Sequence, residues 1–166
     1  MKKIASSDAF ISTGDDGFIS GIEDGSIIAG INGTWNTVRI EEVWKEHYAA
    51  TKLPTYTVAN KQVQMSSFVG YKMIGVNSYS KNLEWAEKLA EYLSNEQNQI
   101  ERFKQRGQGP SNKNAAQSEE INQSVAIKAL LQQTEFGDLQ HVGGLYWEAT
   151  SELGNRIAQN NLEGMT

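Results

Sequence analysis

Aromatic residues are the feature of this sequence best placed to do chemistry. It holds four Trp and six Tyr. Trp35 follows Asn32-Gly33-Thr34, in the first turn of an expected helix, and Trp147 opens another helix beside Tyr146, after Gly143-Gly144. A flat indole at a strand-to-helix corner can lie on the apolar face of a sugar ring, while hydroxyl and amide side chains bond the ring's rim. Corners at strand ends are also where open α/β sheets take ligands. Core packing is the competing use of both rings. Trp44 and Trp85 share helix faces with aliphatic residues and are expected to pack.

Nothing in the sequence assembles a catalytic set. Ser20 lies in Gly17-Phe18-Ile19-Ser20-Gly21, which departs from the Gly-x-Ser-x-Gly elbow. His47 and His141 stand at unrelated positions, neither with a metal-ligand partner four residues on. Gly14-Asp15-Asp16-Gly17 and Glu23-Asp24-Gly25 lack the alternating oxygen ligands of a calcium loop and read as turns and a helix start. Arg106-Gly107-Gln108-Gly109 has no Gly-Lys-Ser/Thr and so no phosphate loop. Glu41-Glu42 and Glu119-Glu120 fall on solvated helix faces, and a glycosidase pair is defined by carboxylate separation, which spacing along the chain does not give. With no cysteine, thiol nucleophiles, zinc–thiolate sites and disulfides are excluded. No catalytic residue, metal site or cofactor is expected.

The 166 residues fit one domain or a piece of a larger two-domain protein. Fifteen Lys and Arg against twenty Asp and Glu give a net charge of −5, which argues against a nucleic-acid partner. Met1-Lys2-Lys3 imitates the start of a secretory signal, but Ile4-Ala5-Ser6-Ser7-Asp8 breaks the apolar run that should follow. The run Ser26–Ile31 is too short to span a membrane.

The elements that would position the aromatics follow from periodicity. Phe18, Ile19 and Ile22 predict a short helix over 16–25 stopped by Gly25, and the β-branched run 26–31 predicts a buried strand. Asn32-Gly33 reads as a turn, with Thr34 capping a helix that carries Val38, Ile40, Val43 and Trp44. A strand is expected over 48–53, closed by Pro54, then a polar surface loop over 57–66, then a strand over 68–76. Asn82 should cap an amphipathic helix bearing Leu83, Ala86, Leu89, Ala90 and Leu93 on one face. After Ser94-Asn95 a second helix with Ile100 and Phe103 ends at Gly107, and 108–112 is a loop. Residues 119–133 read as a helix, 136–144 as a linker, 145–162 as the last helix and 163–166 as a frayed tail. The fold class is mixed α/β, richer in helix toward its end.

Several segments together resemble extracellular solute-binding proteins, in particular the maltose- and maltodextrin-binding proteins of ABC importers. Gly25-Ser26-Ile27-Ile28-Ala29-Gly30-Ile31-Asn32-Gly33-Thr34-Trp35 resembles their strand leading into Asn-Gly-Pro-Trp. Leu53-Pro54-Thr55-Tyr56 is similar to their Leu-Pro-Thr-Phe, and Phe68-Val69-Gly70 with Gly75-Val76-Asn77 to the strand that follows. Trp85 to Ser94 resembles an Ala-x-x-Phe-x-x-Tyr-Leu helix, and Leu145-Tyr146-Trp147-Glu148-Ala149 the aromatic start of a late helix. The pieces keep order and spacing over about 16–160.

The resemblance implies the C-terminal portion of a two-lobe, periplasmic-binding-protein-like fold. Residues near 67–115 would return to the first lobe and their flanks would build the second. It further implies non-catalytic binding of a maltodextrin-like oligosaccharide outside the cell membrane, periplasmic or membrane-anchored, for delivery to the membrane permease of an ABC importer. Trp35 and Trp147 match positions that stack on sugar rings in maltose binders, with Tyr146 as a neighbouring candidate. Thr34 replaces the family's Pro, and Ser151 stands where maltose binders often have Arg. A piece cut this way is expected to expose apolar surface and to self-associate. The alternatives are a binding lobe for another solute, such as another oligosaccharide, a peptide or a metal-chelate, and a glycoside-hydrolase-type enzyme domain.

Overall fold

A computed structural model describes residues 2–159 of the chain. Among these residues two compact units emerge: 2–28 together with 140–159, and 29–139.

In the first unit, α1 (Lys2–Ala5) and α9 (Gly144–Ala158) lie against each other, with α2 (Asp15–Asp24) between them in sequence. Asp15 and Asp16 occupy the first turn of α2, where carboxylates complement the helix dipole. Gly25 ends the helix at φ 79°, a left-handed conformation that glycine adopts without a Cβ penalty. The chain then folds back. The Ile27 amide donates to the Gly21 carbonyl at 2.8 Å, and a Cβ at Gly21 would fall 2.5 Å from the Ile27 side chain.

The second unit opens with a 3-10 turn (Thr34–Asn36) that runs into α3 (Thr37–Trp44), followed by a 3-10 turn over Lys45–His47. Next come a hairpin of β1 (Thr55–Val58) and β2 (Lys61–Gln64), the strand β3 (Ser67–Val69), and the helices α4 (Leu83–Ser94) and α5 (Glu96–Arg106). Short helices α6 (Lys113–Ala116) and α7 (Glu119–Gln123) lead to α8 (Val125–Thr134) and the strand β4 (Gly137–Leu139). β1 and β2 pair antiparallel with Tyr56 opposite Val63; β3 and β4 pair parallel with Phe68 opposite Asp138. Ala115, Ile121, Ala126, Ile127 and Ala129 are buried, so the core of this unit gathers around α6 to α8.

The helix-rich α/β architecture is the expected one, and several strands are corrected. Residues 26–31 form no strand: only Ile27 is buried, Ile28 is 80% exposed, and no described strand pairs with them. Asn32-Gly33 is not a tight turn, because Gly33 is extended at φ −89°, ψ 159°. Thr34 does not cap with its side chain; it starts the 3-10 turn. The strand expected over 48–53 is absent, and the polar loop expected over 57–66 is instead the hairpin. Ala59 and Asn60 at its tip have φ 48° and 61°, the paired positive values a tight hairpin turn requires. The flanking strands are exposed enough to show no apolar alternation.

The strand expected over 68–76 shrinks to β3, since β4 offers three partners; beyond it Met73 is 89% exposed. The segment read as a linker over 136–144 supplies β4 itself. Asn82 makes no side-chain cap. The helix expected over 119–133 is two helices, broken where the Ser124 hydroxyl accepts the Ile127 amide and starts α8. Gly107 ends α5 at φ 64°, as expected. Trp85, expected to pack, is 71% exposed with Lys88 Nζ 5.1 Å above its ring, and Trp44 is half-buried. The last turn expected for the final helix (160–162) and the tail 163–166 lie outside the described residues.

Candidate functional site

Local sequence builds the Trp35 corner around one side-chain amide. Asn32 Oδ1 accepts the Gly33 amide at 2.7 Å and Asn36 Nδ2 at 3.0 Å. Asn36 and Thr37 are buried, which anchors the end of the 3-10 turn. The close of α5 presses on the same place: a Cβ at Gly107 would stand 3.3 Å from Val38 Cγ2 and 3.6 Å from Thr37 Cβ. The Thr37 side chain is hydrogen-bonded to Tyr48, whose hydroxyl is pushed above its ordinary range by burial, against the opposing Thr37 bond. Burial also raises the Glu41 carboxyl, whose charge adds to the upward push on Tyr48.

On this support the Trp35 indole folds back over its own chain. A Cβ at Gly33 would lie 2.0, 2.1 and 2.2 Å from Cζ3, Cη2 and Cε3. Near-equal distances to three consecutive ring carbons put that point over the face of the six-membered ring rather than beyond its edge. One face of the indole is therefore against Gly33, while the residue as a whole is 63% exposed. The sequence marks Gly33 only as a turn residue, so this contact was missed; the Asn-Gly two positions before Trp was the signal for it.

Tyr146 and Trp147 stand in the first turn of α9. Their rings meet edge to face, with centroids 5.1 Å apart and planes at 81°, an arrangement aromatic quadrupoles favour. Tyr146 is 40% exposed and Trp147 43%. Gly143, extended at the N-cap, accepts the Tyr146 amide through its carbonyl at 3.2 Å. Thr150 Oγ1 donates back to the Tyr146 carbonyl at 2.8 Å. Ser151, one turn after Trp147, is exposed. Tyr146 and Trp147 are thus brought together, while Trp35 belongs to the other unit.

Concavities lie elsewhere on the described surface. One of about 90 Å³ is lined by Ile4, Phe10 and Ile157; one of about 490 Å³ is lined by Leu93, Arg102 and Arg106. Neither includes a candidate aromatic. Stacking on an exposed indole needs a flat face rather than an enclosed cavity, so ring geometry is the better guide to a sugar site here. Among the described residues no group of three or more His, Cys, Asp or Glu could hold a metal ion, and no helix is long and apolar enough to cross a membrane. His47 and His141 are both exposed.

Known proteins resemble this chain at the level of sequence and of fold. A family model described as bacterial extracellular solute-binding protein matches residues 1–129, which include Trp35 and stop before Tyr146. The galactooligosaccharide-binding protein of Bacillus subtilis (strain 168) is 34% identical over 115 residues, 69% of this chain and 26% of that protein. A protein solved with acarbose superposes with a TM-score of 0.81 at 30% identity, covering 96% of this chain and 47% of its own. The maltodextrin binding protein MalE1 from L. casei BL23, solved without ligand, gives 0.71 at 21% identity over 87% of this chain and 41% of its own. That second likeness is one of fold. The chain spans about a quarter of the curated relative's length and under half of either solved chain.

Proposed function

This chain belongs to the bacterial extracellular solute-binding protein family, and we propose that it is a carbohydrate-binding part of such a protein. The observation that carries this reading is the Trp35 corner, where an indole lies with one face on Gly33 in a residue 63% exposed. Tyr146 and Trp147 would supply further aromatic contacts. The ligand is an oligosaccharide, with maltodextrins as the first candidates. Galactooligosaccharides are the second, favoured by the name of the Bacillus subtilis relative.

Binding is non-catalytic, with no cofactor. The whole protein works outside the cell membrane and hands its sugar to the permease of an ABC importer. In that protein residues near 67–115 return to the first lobe and the flanks build the second. Apolar side chains left exposed on the chain alone, Leu83 and Leu89 of α4 among them, cause it to self-associate.

Tryptophan fluorescence titrated with maltotriose, galactooligosaccharide and a pentose oligosaccharide tests the reading. A saturable change with one hexose oligosaccharide, lost in Trp35→Ala, is expected. Saturation by the pentose oligosaccharide alone would exclude both hexose series. A flat response to every sugar would overturn the proposal that this chain binds carbohydrate.

A further inference from the structure

We infer that Gly33 is a positioning residue, present so that the Trp35 indole can rest face-down on the backbone and offer its other face to a ligand. The inference rests on the reading of Trp35 as a sugar-stacking residue.

The backbone does not need glycine at position 33. Its φ of −89° and ψ of 159° are extended values that any residue with a Cβ adopts without strain. The neighbouring hydrogen bonds do not need it either, since the Gly33 amide and carbonyl bond to Asn32 Oδ1 and to the Asn36 amide, and alanine supplies the same groups. What alanine cannot keep is the ring. Its methyl carbon would occupy a point 2.0 Å from Cζ3, well inside van der Waals contact. Because the indole is exposed, it can turn away rather than force the backbone to shift. A small side chain at 33 should thus move one ring and leave the fold intact.

That separation has a consequence for binding. A ring lying on the chain is restricted in χ1 and χ2 before any ligand arrives, so less side-chain freedom is lost on stacking. With the ring displaced, its outward face points elsewhere and the restriction that the Gly33 contact imposes is lost. Gly33 would set affinity through Trp35 without touching the sugar.

The test labels the full chain with 5-fluorotryptophan and follows four fluorine resonances, assigning Trp35 as the one lost in Trp35→Phe. In Gly33→Ala the Trp35 resonance should shift by more than its linewidth while the other three stay in place. The melting temperature should not fall, because removing a glycine from an unstrained extended site restricts the unfolded chain. Affinity for the hexose oligosaccharide that binds the unsubstituted chain should drop by roughly five- to tenfold. Adding Gly33→Ala to Trp35→Ala should change affinity no further. An unmoved Trp35 resonance, or shifts in all four, would overturn the positioning role. If no sugar binds the unsubstituted chain, the carbohydrate reading fails, while the fluorine comparison still decides whether Gly33 places the ring.

Discussion

Gln133 accepts the Leu53 amide hydrogen at 3.0 Å, although 80 positions of chain separate the two residues. The same side chain donates through Nε2 to the Met65 carbonyl at 3.0 Å and to Ser67 Oγ at 3.3 Å. One buried amide on α8 thus holds both approaches to the β1–β2 hairpin and the start of β3. Gln133→Leu keeps the volume but leaves the Leu53 amide and the Met65 carbonyl without this partner in a part-buried place. The expected cost is about 1–3 kcal/mol, read as a lower urea midpoint at unchanged slope. A midpoint equal to that of the unsubstituted chain would show that water replaces the amide at no cost.

Gln99 plays the corresponding part on α5. Its Oε1 accepts the Ser111 amide at 2.8 Å and the Asn112 amide at 3.0 Å, and its Nε2 donates to the Ser94 carbonyl. The loop 108–112 is pinned to the helix by one side chain. Gln99→Ala should free that loop first, seen as faster cleavage there by a broad protease and faster amide exchange at Ser111 and Asn112. Exchange unchanged at those two amides would mean the short helix α6 holds the loop by itself.

Helices were the readable part of this chain and strands were not, for a physical reason. Gly25 and Gly107 end helices that the sequence delimits, because apolar spacing and left-handed stop residues are local signals. A strand is defined by what pairs with it. Residues 26–31 and 70–76 have the composition of strands yet stay unpaired, while the polar 61–64 becomes one through the turn at Ala59-Asn60. The placing of Trp35 and Trp147 at helix starts was legible from their neighbours, but core packing stayed an open use of both rings until the fold left them exposed. The covering of one Trp35 face by Gly33 was not, since it depends on a side-chain torsion.

Asp24 gives a pH-dependent check on the end of α2. Its carboxyl is held below the ordinary 3.8, first by the Ser26 hydroxyl and then by the Ser26 amide, which donates to Oδ1 at 2.8 Å. A depressed folded value means the stabilisation is fully present above the unfolded value and is lost as pH falls through the folded one, so the window lies on the acid side of 3.8. Ser26→Ala removes the larger cause and keeps the amide. The titration midpoint of Asp24, followed by NMR, should rise while remaining below its ordinary value. A midpoint that does not move would assign the shift to the amide alone.

Helix α4 buries none of its residues, although Leu83, Leu89 and Leu93 lie along one face. Exposed aliphatic faces of this kind draw copies together. Leu89→Lys should lower the mean mass in sedimentation velocity at high protein concentration and leave the helical circular dichroism signal unchanged, since Leu89 is already exposed. Equal masses for both proteins would acquit this face of self-association.

The edge-to-face pair of Tyr146 and Trp147 separates direct contact from support. If Trp147 stacks on sugar, Trp147→Ala weakens hexose-oligosaccharide binding by about 1–3 kcal/mol, the range for a lost aromatic anchor. Tyr146 meets Trp147 through its ring, and the hydroxyl is not needed for that contact. Tyr146→Phe should therefore bind as well as the unsubstituted chain, while Tyr146→Ala should lose part of the affinity that Trp147→Ala loses. The two alanine losses should not add, because both act on one ring position. Isothermal titration of the three variants and the double alanine variant decides it. Full additivity would mean that Tyr146 contacts the sugar independently, and a loss in Tyr146→Phe would give its hydroxyl a ligand contact of its own.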